Sequence, residues 1–412
     1  MEVIHERCCG LDVHKRTVVA CIRIQKAEGG AHMDIKTFST MSFDLLILRD
    51  WLAASKVTHV AMESTGVYWK PVYNLLEDQF QILLVNAHHV KALPGRKTDV
   101  KDCEWIADLL AHGLVKGSFI PPEPIRDLRD LTRYRKSLID ERTREINRLH
   151  KLLETANIKL ASVATNVMGF SGRDMMHALL GGEADPEILA ELARGRLRKK
   201  IPTLKKALEG RFRPHHRFML ENILAHVDFL DESIATVSEE VVSRLDPFAQ
   251  AIKLLRTIPG VETRTAQVIA SEIGTDMSRF PSANHLASWA GLCPGNNESA
   301  GKRKTGKTRK GDQWLRRTLV EAAHAASRSR ETYLSSQYHR LVARRGKKKA
   351  TVAVAHSILV ASYHILANKT PYQDLGPDYL TKLNETNIKR YHVRRLEELG
   401  YQVNITPLEQ AA

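Results

Sequence analysis

A carboxylate in the middle of a strand constrains this chain more than any other feature. Arg7-Cys8-Cys9-Gly10-Leu11-Asp12-Val13-His14-Lys15 runs directly into Thr17-Val18-Val19-Ala20-Cys21-Ile22. Two runs of apolar β-formers around a short polar turn read as a β-hairpin. Asp12 lies inside the first run, where a carboxylate withdrawn from water is costly unless a cation or a metal compensates it. Asp12 alone could also close the hairpin as an Asx-turn residue, so its partners decide the matter.

The next elements supply candidates. Met33-Asp34-Ile35-Lys36-Thr37-Phe38 reads as a third strand, and Ser42 as the N-cap of a helix carrying Leu45, Leu46, Leu48 and Leu52. His59-Val60-Ala61-Met62-Glu63 is a short apolar strand followed by Ser64-Thr65-Gly66, then a helix from Tyr68 to Glu77 and a strand Gln81-Ile82-Leu83-Leu84-Val85. Three antiparallel-type strands followed by alternating helix and strand suit a mixed sheet of the ribonuclease H kind. Glu63 repeats the oddity of Asp12 at the carboxyl end of an apolar strand, where α/β sheets collect ligands. Further on, Thr98 or Asp99 could start a helix, and Asp99 and Asp102 would share a face of its first turn. Asp12, Glu63, Asp99 and Asp102 together are the oxygen donors of a two-magnesium phosphoryl-transfer site. Singly, Asp99 reads equally as an N-cap and Glu63 as a strand-end residue facing water.

Pro121-Pro122-Glu123-Pro124 marks a boundary, so residues 1–120 form a first domain. Residues 121–250 read as a helical, coiled-coil region. Its first helix, 126–160, carries a seam of Leu131, Leu138, Ile146, Leu149 and Leu153 that Arg135 and Arg142 interrupt. A cleaner seam follows at Ile223, Val227, Leu230, Ile234, Val237 and Val241. The two helices could pair within the chain or between chains. Residues 160–215, with Gly181-Gly182 and a basic run from Arg194 to Lys206, read as an insertion between them.

Residues 251–375 open with Leu254-Leu255-Arg256-Thr257-Ile258-Pro259-Gly260-Val261 and a second helical run to Gly274. Helix, Pro-Gly turn and helix make a helix-hairpin-helix pattern, whose turn at Gly260 can offer N–H groups to a phosphate; a plain αα-hairpin is the alternative. Asn296 to Gly311 is Gly-rich, basic and almost free of apolar residues, so it reads as a loop that grips a phosphodiester backbone through Lys302, Arg303, Lys304, Lys307, Arg309 and Lys310. Arg316 follows on an amphipathic helix. A second basic loop holds Arg344, Arg345, Lys347, Lys348 and Lys349, and the tail 376–412 is charged and helical.

Charge is concentrated there. The chain carries 62 Lys and Arg against 47 acidic residues, a formal +15. Residues 301–350 hold sixteen of those cations against Asp312, Glu321 and Glu331, a local +13. A polyanion-binding surface, and nucleic acid above all, accounts for such clustering. Five cysteines (Cys8, Cys9, Cys21, Cys103 and Cys293) form no C-x-x-C pair, which disfavours a disulfide framework or a zinc site and fits a reducing cytoplasm. No signal-peptide pattern and no apolar run of about 18 residues stand out, so the expectation is a cytoplasmic protein without a membrane partner.

In this order the motifs resemble the DEDD transposases of insertion elements, which include the pilin-gene DNA invertase. The resemblance rests on Gly10-Leu11-Asp12-Val13-His14-Lys15, Glu63-Ser64-Thr65-Gly66-Val67-Tyr68-Trp69, Lys97-Thr98-Asp99-Val100-Lys101-Asp102, Ile258-Pro259-Gly260-Val261 with Glu272-Ile273-Gly274, and Gly291-Leu292-Cys293-Pro294 through Arg316. It implies a RuvC-like N-terminal domain whose Asp12, Glu63, Asp99 and Asp102 hold magnesium, two ions per site, and a mostly helical C-terminal transposase domain with a nucleophilic serine. That serine falls at Ser299, with Ala300 standing before Gly301 where a Ser-Gly pair is common; Ser288 is the alternative. The resemblance further implies double-stranded DNA (element ends and target) as partner, a homo-oligomer, dimer or tetramer, joined through the long helices, a nucleoid-associated prokaryotic location, and in some members a structured guide RNA.

Three functions follow as expectations. The first is a transposase in which Ser299 attacks a DNA phosphate and leaves a covalent protein–DNA intermediate, with the magnesium site and nearby cations stabilising developing charge. The second is a metal-dependent nuclease or junction resolvase in which water attacks. The third is an architectural DNA-binding protein without catalysis.

Overall fold

The computed structural model describes residues 2–63, 66–86, 102–295, 297–383 and 385–405, with the side chains of 297–299, 303–305 and 387 outside that description. Packing divides the chain into two compact units, Met1–Ile120 and Pro121–Ala412.

The first unit is built on a five-stranded mixed sheet. β1 (Arg7–Val13), β2 (Thr17–Gln25) and β3 (Ala31–Ser39) form an antiparallel meander, and β4 (His59–Glu63) and β5 (Gln81–Val85) add to β1 in parallel, giving the order β3-β2-β1-β4-β5. His14 N–H donates to the Thr17 carbonyl at 2.9 Å and closes the first hairpin.

Alternation along the strands sorts side chains to two faces. Cys9, Leu11, Val13, Val18, Ala20, Ile22, Val60 and Met62 pack against Leu45, Leu48 and Leu52 of α1 (Ser42–Ala54) and Val72 and Leu76 of α2 (Trp69–Leu76). Each such fully buried aliphatic chain contributes roughly 1.5–3 kcal/mol. The opposite face, with Cys8, Ala61 and Val85, is covered by Ile106, Leu109 and Leu110 of α3 (Asp102–Ala111). A mixed sheet between helical layers is the architecture expected from the sequence.

The second unit is helical. α4 (Glu123–Thr155) and α9 (Pro214–Arg244) lie antiparallel as a long hairpin. Ile125 and Leu128 meet Val241 and Leu245 at one end, and Leu138 meets Leu230 and Ile234 further along. The seam from Ile223 to Val241 is therefore used inside the chain. Arg142, which breaks the α4 seam, reaches Asp231 with its Nη2 at 3.1 Å. The Pro-rich stretch stands at the division between the units and starts α4, with Pro124 in the first helical turn, where no N–H is needed.

Residues 160–215 connect the two long helices and pack on the ends of their hairpin. Their helices α5 (Leu160–Val163), α6 (Phe170–Gly181), α7 (Pro186–Glu191) and α8 (Ile201–Leu208) share a core with the ends of the hairpin. Met175, Met176, Leu179, Leu204 and Leu208 pack with Leu149, Leu153, Leu220 and Leu224.

Beyond the hairpin come α10 (Ala249–Leu255), α11 (Thr263–Ile273), α12 (Ala283–Trp289), a small hairpin of β6 (Asn297–Ser299) and β7 (Lys302–Thr305), α13 (Gln313–Ala326), α14 (Tyr333–Arg345) and α15 (Lys347–Asn368). The last is long and apolar enough to cross a bilayer by length and composition. It instead buries Ala350, Val354, Ala355, Ile358, Leu359 and Ile365 as the central helix of this half.

Candidate active site

Two of the four carboxylates are brought together by strand register. Leu11 pairs with Met62 across the parallel β1–β4 ladder, so Asp12 and Glu63 occupy the next positions on adjacent strands. Gly10 and Ala61, two residues earlier, face α3, and alternation gives Asp12 and Glu63 the same face. Both side chains are half-buried.

Gly10 explains how the third carboxylate arrives. A Cβ at this position would lie 2.2 Å from the Cys103 carbonyl oxygen and 2.5 Å from the Ala107 nitrogen. The absent side chain lets α3 settle directly on β1, which puts the helix that carries Asp102 over the strand that carries Asp12. Beneath it the Cys21 thiol is hydrogen-bonded with Cys103, and that bond and burial push it well above its ordinary range. The Asp12 charge also bears on Cys103, as expected for a residue beside the first turn of α3.

Asp99 lies outside the described residues. Among the described residues, no three carboxylate, histidine or cysteine side chains form a ready-made ion cage. The donor chemistry of Asp12, Glu63 and Asp102 nonetheless suits a hard divalent cation, which takes carboxylate oxygens and keeps several waters. The sequence reading missed His14, whose Nε2 stands 3.1 Å from Asp12 Oδ2. Its position at the hairpin turn, two residues after Asp12, was the available signal.

The stretch expected to be an open basic loop is a two-stranded arm. Ser299 pairs with Lys302, and Ala300 and Gly301 form the turn, with φ of 50° and 71°. Two positive φ values are what a two-residue hairpin needs to match the strand twist. At the base of the arm, Gly295 N–H donates to the Lys307 carbonyl at 2.9 Å and Pro294 bridges Thr308. Gly291 and Gly311 pack backbone to backbone, so a Cβ on Gly291 would lie 2.7 Å from the Gly311 nitrogen. Backbone pairing rather than apolar alternation makes this hairpin, which is why no strand pattern announced it. Ser299 thus stands beside the tip of an arm, and Lys302, Arg309 and Lys310 are exposed along it.

The other cations divide. Arg316 spends one bond on structure, donating from Nη1 to the Gly291 carbonyl at 3.2 Å. Arg344, Arg345, Lys347, Lys348 and Lys349 are exposed, but they do not form a loop. Gly346, at φ 79°, turns α14 directly into α15, so the cations occupy the last turn of one helix and the first of the next. Gly260, at φ 84°, faces α13; a Cβ there would lie 2.5 Å from the Ala322 carbonyl oxygen. Close helix packing already requires this glycine, and Val261 N–H is taken by the Ile258 carbonyl at 3.0 Å.

A buried ionic network ties α4, α11 and α13 together, and no local sequence signal predicted it. Arg133 donates from Nε to Glu272 Oε1 at 2.7 Å and from Nη2 to Oε2 at 2.8 Å, and Nη2 also reaches Asp312 Oδ2 at 2.8 Å. Arg129 Nε lies 3.0 Å from Glu272 Oε2. Asp312 caps α13 by accepting from Leu315 N–H at 2.9 Å. Burial pushes the Glu272 carboxyl up to about 7, against the opposing pull of Arg133 and Arg129.

Comparison with known proteins gives two family matches along the chain, the first running past Ile120 into the long helix α4. A family model for DEDD transposases matches residues 9–158, and a second, described as the IS116/IS110/IS902 transposase family, matches residues 252–340. The chain is 25% identical to the transposase for insertion sequence element IS1328 of Yersinia enterocolitica over 285 residues, covering 68% of this chain and 74% of that protein. It is 27% identical to a 43.6 kDa protein of insertion element IS110 from Streptomyces coelicolor, over 69% of this chain and 74% of that protein. The pilin gene-inverting protein of Moraxella bovis is 31% identical over 122 residues, 29% of this chain and 38% of that protein. The mixed sheet with Asp12 and Glu63 on adjacent strand ends, and the two family matches in their order, show that this chain belongs to the IS110 family of insertion-element transposases.

Proposed function

We propose that this transposase cuts and rejoins DNA by attack of Ser299 on a DNA phosphate, with Asp12, Glu63, Asp99 and Asp102 as ligands for magnesium. The observation that carries the reading is the placement of Asp12 and Glu63 on one face of adjacent strand ends, beneath the helix that carries Asp102. Bound magnesium would supply charge stabilisation to the phosphoryl group and activate a hydroxyl. Ser299 Oγ would form an ester to phosphorus while the bond to one deoxyribose oxygen breaks. One phosphodiester is exchanged for another, so the bond energy is retained for rejoining.

The placement of Ser299 next to a two-residue turn supports this reading, because an arm tip can enter a DNA groove. The cations at the α14–α15 corner support DNA contact. Lys347, Lys348 and Lys349 stand in the first turn of α15, against the positive end of its dipole, and a phosphate there would relieve an unfavourable arrangement. Assembly into a homo-oligomer and guidance by a structured RNA belong to the same proposal through family resemblance. With the Ile223–Val241 seam buried inside the chain, assembly would use other surfaces.

The test is recombination between donor and target plasmids by wild type, Ser299→Ala and Asp102→Ala, with products trapped under denaturing conditions. Loss of activity in both variants, and a protein–DNA adduct that depends on Ser299, is the expected result. Activity retained by Ser299→Ala with no adduct would make the protein a nuclease that uses water.

A further inference from the structure

Arg135 interrupts the apolar seam of α4, and the structure gives it no partner that explains its presence. The residue is 3% exposed and lines a cavity of about 160 Å³ between α4, α11 and α13. No carboxylate lies within ion-pair distance of it among the described residues. The charge that acts on it is another cation, Arg264, in the first turn of α11, and Arg133 and Lys136 line the same cavity. Burial, and then Arg264, push its guanidinium down to about 10.

The acids that line the same cavity are already engaged. Glu272 is held by Arg133 and Arg129, and Glu321 takes Lys136 at 3.2 Å. A buried guanidinium without a counter-charge is strongly destabilising. An anion entering the cavity would neutralise it. The cavity is below the roughly 300 Å³ of an ordinary small-molecule pocket, so its guest is one compact group.

We propose that Arg135 and Arg264 form a binding site for a single phosphate group, made of residues that belong neither to the carboxylate set nor to the basic arm. Planar guanidinium forks match phosphate oxygens in two-pronged fashion, and the second cation supplies the remaining charge. The phosphate could belong to a nucleic-acid backbone or be free in solution. The inference does not depend on serine chemistry.

The test uses the full chain, with inorganic phosphate as probe and chloride of equal ionic strength as control. In wild type, phosphate raises Tm. Arg135→Met melts higher than wild type in chloride, because the unpaired charge is gone, yet binds phosphate at least about tenfold more weakly. Arg264→Gln, on the surface, melts as wild type in chloride and shows a reduced phosphate shift. A second arm measures duplex DNA affinity against salt. If the site takes the DNA backbone, each variant lowers the logarithmic salt slope by about one. A lost phosphate shift with an unchanged slope identifies free phosphate as the guest, and a lowered slope alone identifies a phosphodiester. Equal phosphate shifts in all three proteins, or no phosphate shift together with equal slopes, would overturn the assignment.

Discussion

Arg133 and Glu272, 139 residues apart, meet in a two-pronged pair with both bonds under 2.9 Å, and Glu272 is fully buried. The pair joins α4 to α11, and through Asp312 to the N-cap of α13. Removing Glu272 takes the ion-pair partner from Arg129, which is only partly exposed, while Arg133 keeps Asp312. Glu272→Ala is expected to cost about 3–5 kcal/mol, whereas Glu272→Met combined with Arg129→Met recovers part of that loss. Denaturant unfolding of the single and double variants checks it; simple additivity would show that the network is not coupled.

The same residue sets a pH dependence. Glu272 has an ordinary value of 4.5 and titrates near 7 when folded, so the folded chain holds its proton more tightly. The stability contributed by its tighter proton binding is fully present below about pH 4.5 and is lost as pH rises through 7, above which the ion pairs with Arg133 and Arg129 remain. Histidines such as His216 and His356, lowered by burial, act in the opposite sense. The useful quantity is therefore the difference between wild type and Glu272→Gln, followed from pH 4.5 to 8. Relative to the variant, wild type should lose stability across that window; a constant difference would place the Glu272 titration outside it.

Much of the first unit was legible in the sequence. Alternation of Cys9, Leu11 and Val13, the Asp12 anomaly and its repetition at Glu63 pointed to the strands and to the two carboxylates that the register then placed side by side. The Ser299 arm was not legible, because Asn297–Ser299 and Lys302–Thr305 pair through backbone bonds and carry no apolar face. Nor was the partner of the α9 seam, since a 4-3 spacing is equally satisfied within one chain or between two. The Arg133–Glu272 pair joins residues that only the folded chain brings close. Arg135 did leave a trace, as a charge at a seam position.

Gly10 is the backbone condition for the carboxylate site. The Cβ of Gly10→Ala would meet the Cys103 carbonyl oxygen at 2.2 Å, a backbone atom that cannot turn aside as a side chain can. Helix α3 must then lift from β1, taking Asp102 with it. The expected result is a loss of at least about 1–3 kcal/mol from the first unit, together with loss of recombination. Limited proteolysis and amide hydrogen exchange in residues 102–111 report the displacement. Exchange in α3 unchanged from wild type would mean that the contact relaxes without moving the helix.

Ala300 offers the complementary case, in which a substitution should improve local order. It sits at φ 50° in the turn beside Ser299, a region that costs a residue with a Cβ roughly 1–2 kcal/mol. Gly301, with φ 71°, already meets the demand at the other turn position. Ala300→Gly relieves the strain but adds freedom to the unfolded chain, which offsets part of the gain. The net expectation is a hairpin stabilised by up to about 1 kcal/mol, seen as slower amide exchange in β6 and β7 with little change in overall Tm. Ala300→Val acts in the opposite direction, because a β-branched residue is a severe outlier at positive φ. It should open the arm, speed exchange at Ser299 and Lys302, and lower recombination while the rest of the second unit stays folded. Equal exchange in the three proteins would show that the turn does not set the order of the arm.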